Sequence, residues 1–340
     1  MNDFYNKLKY FEETEGVPRE VYYHYTSLDA LYEIIRTRTF RLMSLKSSND
    51  KKELFYKPSD FIKDIARICD SEPNGAQKTF FKLMQKSLLE NQKAFEDNLF
   101  GMNEPYALCL SSKKDNLTHW DRYANNCKGV SIGFNVSSLN VLYSRMNCSA
   151  FGVCFFDIDK TIYSQSDRED TIKNIIKNSV SLYKKMYENK TPDEIVKIIQ
   201  KNGYVWLAVV CLRIMKFAKN SSFIDEDEVR LYYNADTIKE TLKLIDGIKG
   251  HVNDELYSNT RKNFLDIANQ FQIEENRFAM TRTGIRSYRN LCLDEIWGSG
   301  AIPEIVLGPM CVQDKRELQK FLRHNGLQGT KVTVSKVPIR

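Results

Sequence analysis

Tyr22-Tyr23-His24-Tyr25-Thr26-Ser27 is an aromatic run carrying one of only four histidines in the chain, and it stops where a different periodicity begins. Alternation places Tyr22, His24 and Thr26 on one face of a short strand and Val21, Tyr23 and Tyr25 on the other. From there the period changes. Leu28, Leu31, Tyr32 and Ile35 recur at helical spacing, with Thr26 or Ser27 as N-cap and Asp29 in the first turn. A helix N-terminus presents unpaired N–H groups and a positive dipole end, so a side chain just before it lies where a phosphate or ribose could bind. His24 is either a satisfied histidine of a half-buried strand or a ligand-facing group, and this stretch alone leaves both readings open.

Outward from this run, short apolar or alternating segments predict strands at Phe40–Ser44, Pro105–Ser111, Gly129–Phe134, Gly152–Phe156, Ile224–Tyr233, Pro303–Pro309 and Lys331–Ser335. Between them lie helical stretches. Residues 52–98 carry the stripes Phe61, Ile65, Ile68, Cys69 and Phe80, Phe81, Met84, Leu88, separated by a turn at Pro73–Gly75. Residues 165–202 are helical and charged, and Thr191-Pro192-Asp193-Glu194 is a helix start with proline in the first turn. This second block is expected to pack on the sheet. Residues 204–216 fit a helix or a buried strand equally, and 236–280 read as helix or loop. The pattern predicts an α+β fold with a central mixed or antiparallel β-sheet core and large helical insertions at about 52–98 and 165–202. No repeat and no Gly-, Ser- or Pro-rich linker divides the chain, which favours one domain over residues 1–340.

Composition is that of a globular protein, with 42% hydrophobic and 28% charged residues. The net charge of +6 permits a nucleotide or nucleic-acid partner without demanding one. Eight cysteines without a CxxC pair read as thiols of a reducing compartment. The amino terminus lacks a secretory apolar segment, and the longest apolar run, Tyr204–Leu212, is too short to span a bilayer. These features lead to the expectation of a cytoplasmic protein with no membrane association.

Glu226 and Glu228, two apart on a predicted strand, fall on one face about 6–7 Å apart. Two carboxylates that close disfavour joint ionisation, so one is a candidate for a raised pKa, with Arg230 on the same face opposing the shift. The alternative is an exposed acidic edge that deters aggregation. Arg282, Arg286 and Arg289 are spaced for one helical face and could hold phosphate, or simply be solvated. Metal-site spacings, dinucleotide and P-loop glycine motifs, and a GxSxG elbow do not occur. No metal cofactor is expected.

Several blocks carry a resemblance. Tyr23 to Leu28, Ser44 with Asn49 and Asp50, Cys109 to Ser112 with Trp120 and Tyr123, Lys128 to Phe134, Glu226 to Leu231 and Ile305 to Pro309 resemble, in order, the motifs of a bacterial domain-of-unknown-function family, number 2971. The chain departs from it at Val229, where an aromatic is usual, and at Lys51, where a proline often follows Asn-Asp. The order His-Tyr, then a Ser-ended strand with downstream aromatics, then Glu-x-Glu is also similar to the three-block signature of ADP-ribosyltransferases. That likeness implies an ADP-ribosyltransferase-like fold with NAD as substrate. It implies His24 and Glu228 as catalytic residues, His24 holding a ribose hydroxyl and Glu228 serving as the carboxylate. It further implies Tyr25, Ser111, Ser112, Trp120, Tyr123, Glu226 and Arg230 around the nucleotide, with Trp120 or Tyr123 stacking on nicotinamide.

Cleaving a nicotinamide–ribose bond develops oxocarbenium character that a carboxylate stabilises, and Arg230 or the arginine cluster could hold a pyrophosphate. The expected activity is that of an NAD-consuming ADP-ribosyltransferase or NAD glycohydrolase, in the role of a toxin or anti-phage effector, with a protein, nucleic acid or water as acceptor. The alternatives are a non-catalytic nucleotide- or nucleic-acid-binding module and a metal-independent nuclease or phosphotransferase with His24 as general base.

Overall fold

A computed structural model of the chain describes residues 21–47, 56–73, 75–93, 95, 105–135, 138, 156–186, 191–233, 242, 245–246, 254–271, 276–281 and 284–338. The aromatic run forms β1 (Val21–Thr26). Ser27 ends it: its Oγ accepts the Ala30 N–H at 3.1 Å and starts α1 (Leu28–Thr37), which buries Leu31, Ile34 and Ile35. Tyr32, expected on that buried stripe, is 52% exposed and stacks on Phe321 with ring centroids 5.4 Å apart.

The remaining strands are β2 (Thr39–Ser44), β3 (Tyr106–Ser111), β4 (Val130–Asn135), β5 (Phe156–Lys160), β6 (Glu228–Tyr233), β7 (Arg277–Thr281), β8 (Gly284–Cys292), β9 (Glu304–Leu307) and β10 (Lys331–Val334). The other helices are α2 (Pro58–Ser71), α3 (Ala76–Glu90), α4 (Leu117–Tyr123), α5 (Gln165–Met186), α6 (Pro192–Phe217), α7 (Asp254–Phe271) and α8 (Lys315–His324). The strands form one open ten-stranded sheet in the order β10-β9-β4-β1-β3-β2-β8-β7, with β6 also on β3 and β5 on β6. Only β9 and β10 are parallel, so the fold is α+β with a mixed sheet.

The topology turns on β3. One of its edges pairs with β6 along its whole length, from Tyr106↔Tyr233 to Ser111↔Glu228. The other edge is shared: β2 pairs at Tyr106 and Ala107, whereas β1 pairs only at Ser111. Leu108, Cys109 and Leu110 have no strand partner there, and the sheet is split between β1 and β2.

One face of the sheet is covered by α1, α7 and α8. Its core includes Tyr22, Phe40, Leu42, Phe134, Phe264 and Leu318. The second insertion, expected on the sheet, packs instead with the first. Helices α2, α3, α5 and α6 close around a core of their own, with Phe61, Ile65, Phe81, Met84, Ile172 and Ile214 fully buried. Each such side chain contributes about 1.5–3 kcal/mol on burial. Thr191 caps α6 in a reciprocal capping box with Glu194, and the helix runs on to Phe217, which assigns the ambiguous residues 204–216 to helix. Only the end of α6 reaches the sheet, where Phe217 meets Tyr232 at 6.3 Å.

The reading of 236–280 as helix or loop holds for α7 but misses the β7–β8 hairpin. Because β8 is a strand, Arg286 and Arg289 lie on opposite faces rather than along one helical face. Arg282, Asn49, Asp50, Lys51 and residues 152–155 lie outside the described residues. Among the described residues, no helix is long and apolar enough to cross a membrane.

Candidate functional site

The split beside Leu108–Leu110 opens into a cavity of about 270 Å³, near the lower end of small-molecule sites. Both faces of the sheet contribute to it. Tyr23, Tyr25, Cys109 and Ser111 come from one face, while His24 and Leu110, which alternate to the other, line it as well. His24 Nδ1 sits 3.0 Å from the Cys109 carbonyl oxygen. A carbonyl only accepts, so Nδ1 carries the proton and Nε2 keeps its lone pair. Burial lowers the pKa of His24 and outweighs the opposing hydrogen bond to Cys109, so the ring is neutral at pH 7. The edge of the ring rests on Phe40 at 5.7 Å.

The acidic wall is not a continuous strand. Glu226 ends a 3-10 turn at Ser221–Glu226, Asp227 adopts a left-handed conformation (φ 42°), and Glu228 begins β6. Aspartate tolerates that conformation better than most residues, and here its carboxylate accepts the Ser112 hydroxyl while its carbonyl accepts the Ser112 N–H at 3.2 Å. The turn aims both glutamates at a single lysine: Lys219 Nζ donates to Glu226 Oε2 at 2.7 Å and to Glu228 Oε2 at 2.6 Å. Arg230 donates through Nε to Glu228 Oε1 at 2.8 Å and through Nη2 to Oε2 at 3.3 Å.

Glu226 and Glu228 are only 5% and 4% exposed, which excludes the exposed acidic edge. The expectation of a raised carboxyl pKa fails at Glu228. Burial pushes its carboxyl up, but the Arg230 guanidinium and the Lys219 ammonium override this and hold it at about 2. Conversely, burial disfavours the charged Lys219, and Glu228, Cys109 and Glu226 more than restore it, so its pKa is raised.

Around this pair, Tyr123 Oη donates to Glu226 Oε1, and burial followed by that bond raises the phenol pKa. Ser111 Oγ donates to the Glu226 carbonyl at 2.8 Å, and the Glu228 N–H donates to Tyr163 Oη at 2.9 Å. Helix α4 brings Tyr123 here. Asn116 caps it by accepting the His119 N–H, and His119 Nε2 lies 3.0 Å from the Glu226 carbonyl. Behind it, a Cβ at Gly129 would stand 2.1 Å from the Thr26 carbonyl, so only glycine admits this approach of β4 to the end of β1.

The structure brings His24, Tyr25, Ser111, Tyr123, Glu226 and Glu228 to one cavity, with Arg286 also on its wall. It does not bring Trp120, which is fully buried with its indole N–H donated to Asp115 at 2.6 Å and so is core rather than a stacking surface. Arg230 is likewise fully buried and committed to Glu228, which removes it as a pyrophosphate clamp. Ser112 lies behind the wall on Asp227. Arg289 is buried between Tyr106 and Tyr233, at 5.3 and 5.7 Å, and is not available as a phosphate anchor.

Sequence reasoning missed Lys219, Cys109 and Phe223, all of which line the cavity. Cys109 opens to the cavity, and the desolvating wall around it, followed by the neighbouring Glu228 carboxylate, holds its thiol pKa well up. Its place on the alternating face of a Ser-ended strand was a usable signal. Among the described residues, no group of three or more His, Cys, Asp or Glu side chains could hold a metal ion.

No curated protein and no solved structure matches the chain. The family match covers about a third of it, from α4 to β6, and takes in Tyr123, Lys219, Glu226, Glu228 and Arg230: residues 119–231 match the model of the family described as a protein of unknown function (DUF2971).

Proposed function

We propose that this cavity cleaves the nicotinamide–ribose bond of NAD, as an NAD glycohydrolase or an ADP-ribosyltransferase. The observation that carries the reading is the convergence of His24, Ser111, Tyr123, Glu226 and Glu228, from segments far apart in sequence, on one cavity at the split in the sheet. In the proposed reaction the C1′–N bond breaks, nicotinamide leaves with the bonding pair, and C1′ takes on cationic character. A water or another acceptor then forms the new bond to C1′ and loses its proton.

A carboxylate held ionised at every physiological pH suits that charge, and Glu228 has this property through Arg230 and Lys219. A lone pair at His24 Nε2 suits a ribose hydroxyl, which would donate to it. Tyr123, 40% exposed and beside Glu226, offers a ring face for a planar leaving group. The test is nicotinamide release during incubation with NAD, alone and with candidate protein and nucleic-acid acceptors. Release by the wild type and its loss in Glu228→Gln are expected; intact NAD in every wild-type incubation sinks the reading.

A further inference from the structure

Strands β2, β8 and β7 together carry four arginines and no aspartate, glutamate or lysine. Their registers fix which of these residues share a face. Arg41 pairs with Asn290, Met43 and Arg277 with Tyr288, and Ala279 with Arg286, so Arg41, Tyr288, Arg277 and Arg286 stand on one side of the sheet. Arg289 points to the other side and is buried. Arg41 lies over the Tyr288 ring at 4.9 Å, and Arg41 and Arg277 are both exposed. The face meets the cavity at Met43 and Arg286, which belong to its wall. At its far side β7 has no further strand partner among the described residues.

We propose that this face binds a single-stranded polynucleotide and leads it to the cavity. Its exposed guanidinium groups, Arg41 and Arg277, complement a phosphate backbone. The face offers an aromatic ring and guanidinium planes on which unpaired bases can stack. A cavity of about 270 Å³ at its end accommodates a single nucleotide-sized group and excludes a duplex. The surface acts whether or not the cavity consumes NAD, because the arginines that compose it are not those that hold Glu228.

The experiment is fluorescence anisotropy of labelled oligothymidylate, oligouridylate and a duplex of equal length over a salt series, without NAD. The wild type is expected to bind both single strands more tightly than the duplex, with the two arms separating DNA from RNA as the source. Arg277→Glu, at an exposed position on the free edge strand, should raise Kd about tenfold or more at about 50 mM salt. The Arg277→Glu, Arg41→Gln double variant should have a slope of log K against log salt shallower than that of the wild type by about 1.4, the loss of two single-strand phosphate contacts. No wild-type binding at low salt, equal or tighter binding of the duplex, or an unchanged Kd in Arg277→Glu overturns the proposal. If Arg41→Gln does not fold, Arg277→Glu alone decides. Since no step needs NAD, intact NAD in the nicotinamide assay leaves this test standing, and loss of oligonucleotide binding leaves the catalytic reading standing.

Discussion

Among the described residues, two buried carboxylate clusters differ in one respect that matters. In the helical layer, Asp64 is fully buried and accepts from Tyr56 Oη at 2.6 Å, from Arg67 and from Arg168 Nε at 3.4 Å, while Arg168 also covers the Tyr56 ring at 5.2 Å. In the sheet, Glu228 is held as thoroughly by Arg230 and Lys219. Both clusters offset the cost of burying charge with paired cations and hydrogen bonds. None of the Asp64 partners lines the cavity, whereas Glu228 faces it together with a neutral histidine and a second glutamate. A buried ion pair is thus a structural device in one place and a candidate site in the other. What separates them is access and a partner with an unused lone pair.

The largest effect on stability should come from the closed cluster. Asp64→Ala leaves Arg168 and Tyr56 without their acceptor and should cost about 3–5 kcal/mol in urea unfolding. A loss below about 1 kcal/mol would show that the helical layer does not depend on this pair.

The open cluster should appear next, as a pH dependence. The folded pKa of Glu228, about 2, is depressed below the value of 4.5 for a free carboxyl. Its contribution is therefore fully present above pH 4.5 and is lost as pH falls toward 2, amounting to about 3 kcal/mol at 1.36 kcal/mol per pKa unit. Unfolding free energies measured across that window should fall in the wild type and flatten in Glu228→Gln. Equal slopes in the two proteins would contradict the pairing.

His24 should add a smaller limb at higher pH. Its folded pKa is lowered, so the unfolded chain binds the proton first and stability is lost as pH falls below about 6.5. His24→Gln should reduce that slope between pH 6.5 and the onset of the Glu228 limb, leaving the share of His119, whose pKa burial also lowers. An unaltered slope would mean that His24 is not held neutral in the fold.

The smallest effect tests the place of Trp120. Trp120→Phe deletes the bond to Asp115, which still accepts from Ser335 Oγ at 2.6 Å and from the Lys336 N–H at 2.7 Å. A loss of about 1–2 kcal/mol with unchanged turnover is expected. A fall in turnover with stability intact would restore Trp120 to the site.

Much of the site was legible in the sequence because strand alternation is a local property. Tyr22 and His24 on one face, and Val229, Leu231 and Tyr233 toward the core, follow from period two alone, and the order of His24, Ser111, Tyr123 and Glu228 singled them out. Lys219 was not legible. It follows a helix end whose pattern fitted helix or strand, and it reaches Glu228 only because a left-handed Asp227 swings the glutamates together. The gap in the sheet was equally hidden, since it depends on β1 and β2 sharing one edge of β3 across long stretches of chain. The likeness to ADP-ribosyltransferases assigns Trp120 and Arg230 to the ligand, and both have protein partners instead. The arginine spacing at 282, 286 and 289 suits a helix, and only the pairing of β7 with β8 shows that Arg286 and Arg289 lie on a strand.

The most direct test sets the two carboxylates side by side. Nicotinamide released from NAD at pH 7, measured per folded molecule, should persist in Asp64→Asn and fall about a thousandfold or more in Glu228→Gln. Equal release by Glu228→Gln and the wild type would contradict the claim that the open cluster, and not merely its buried charge, is the site.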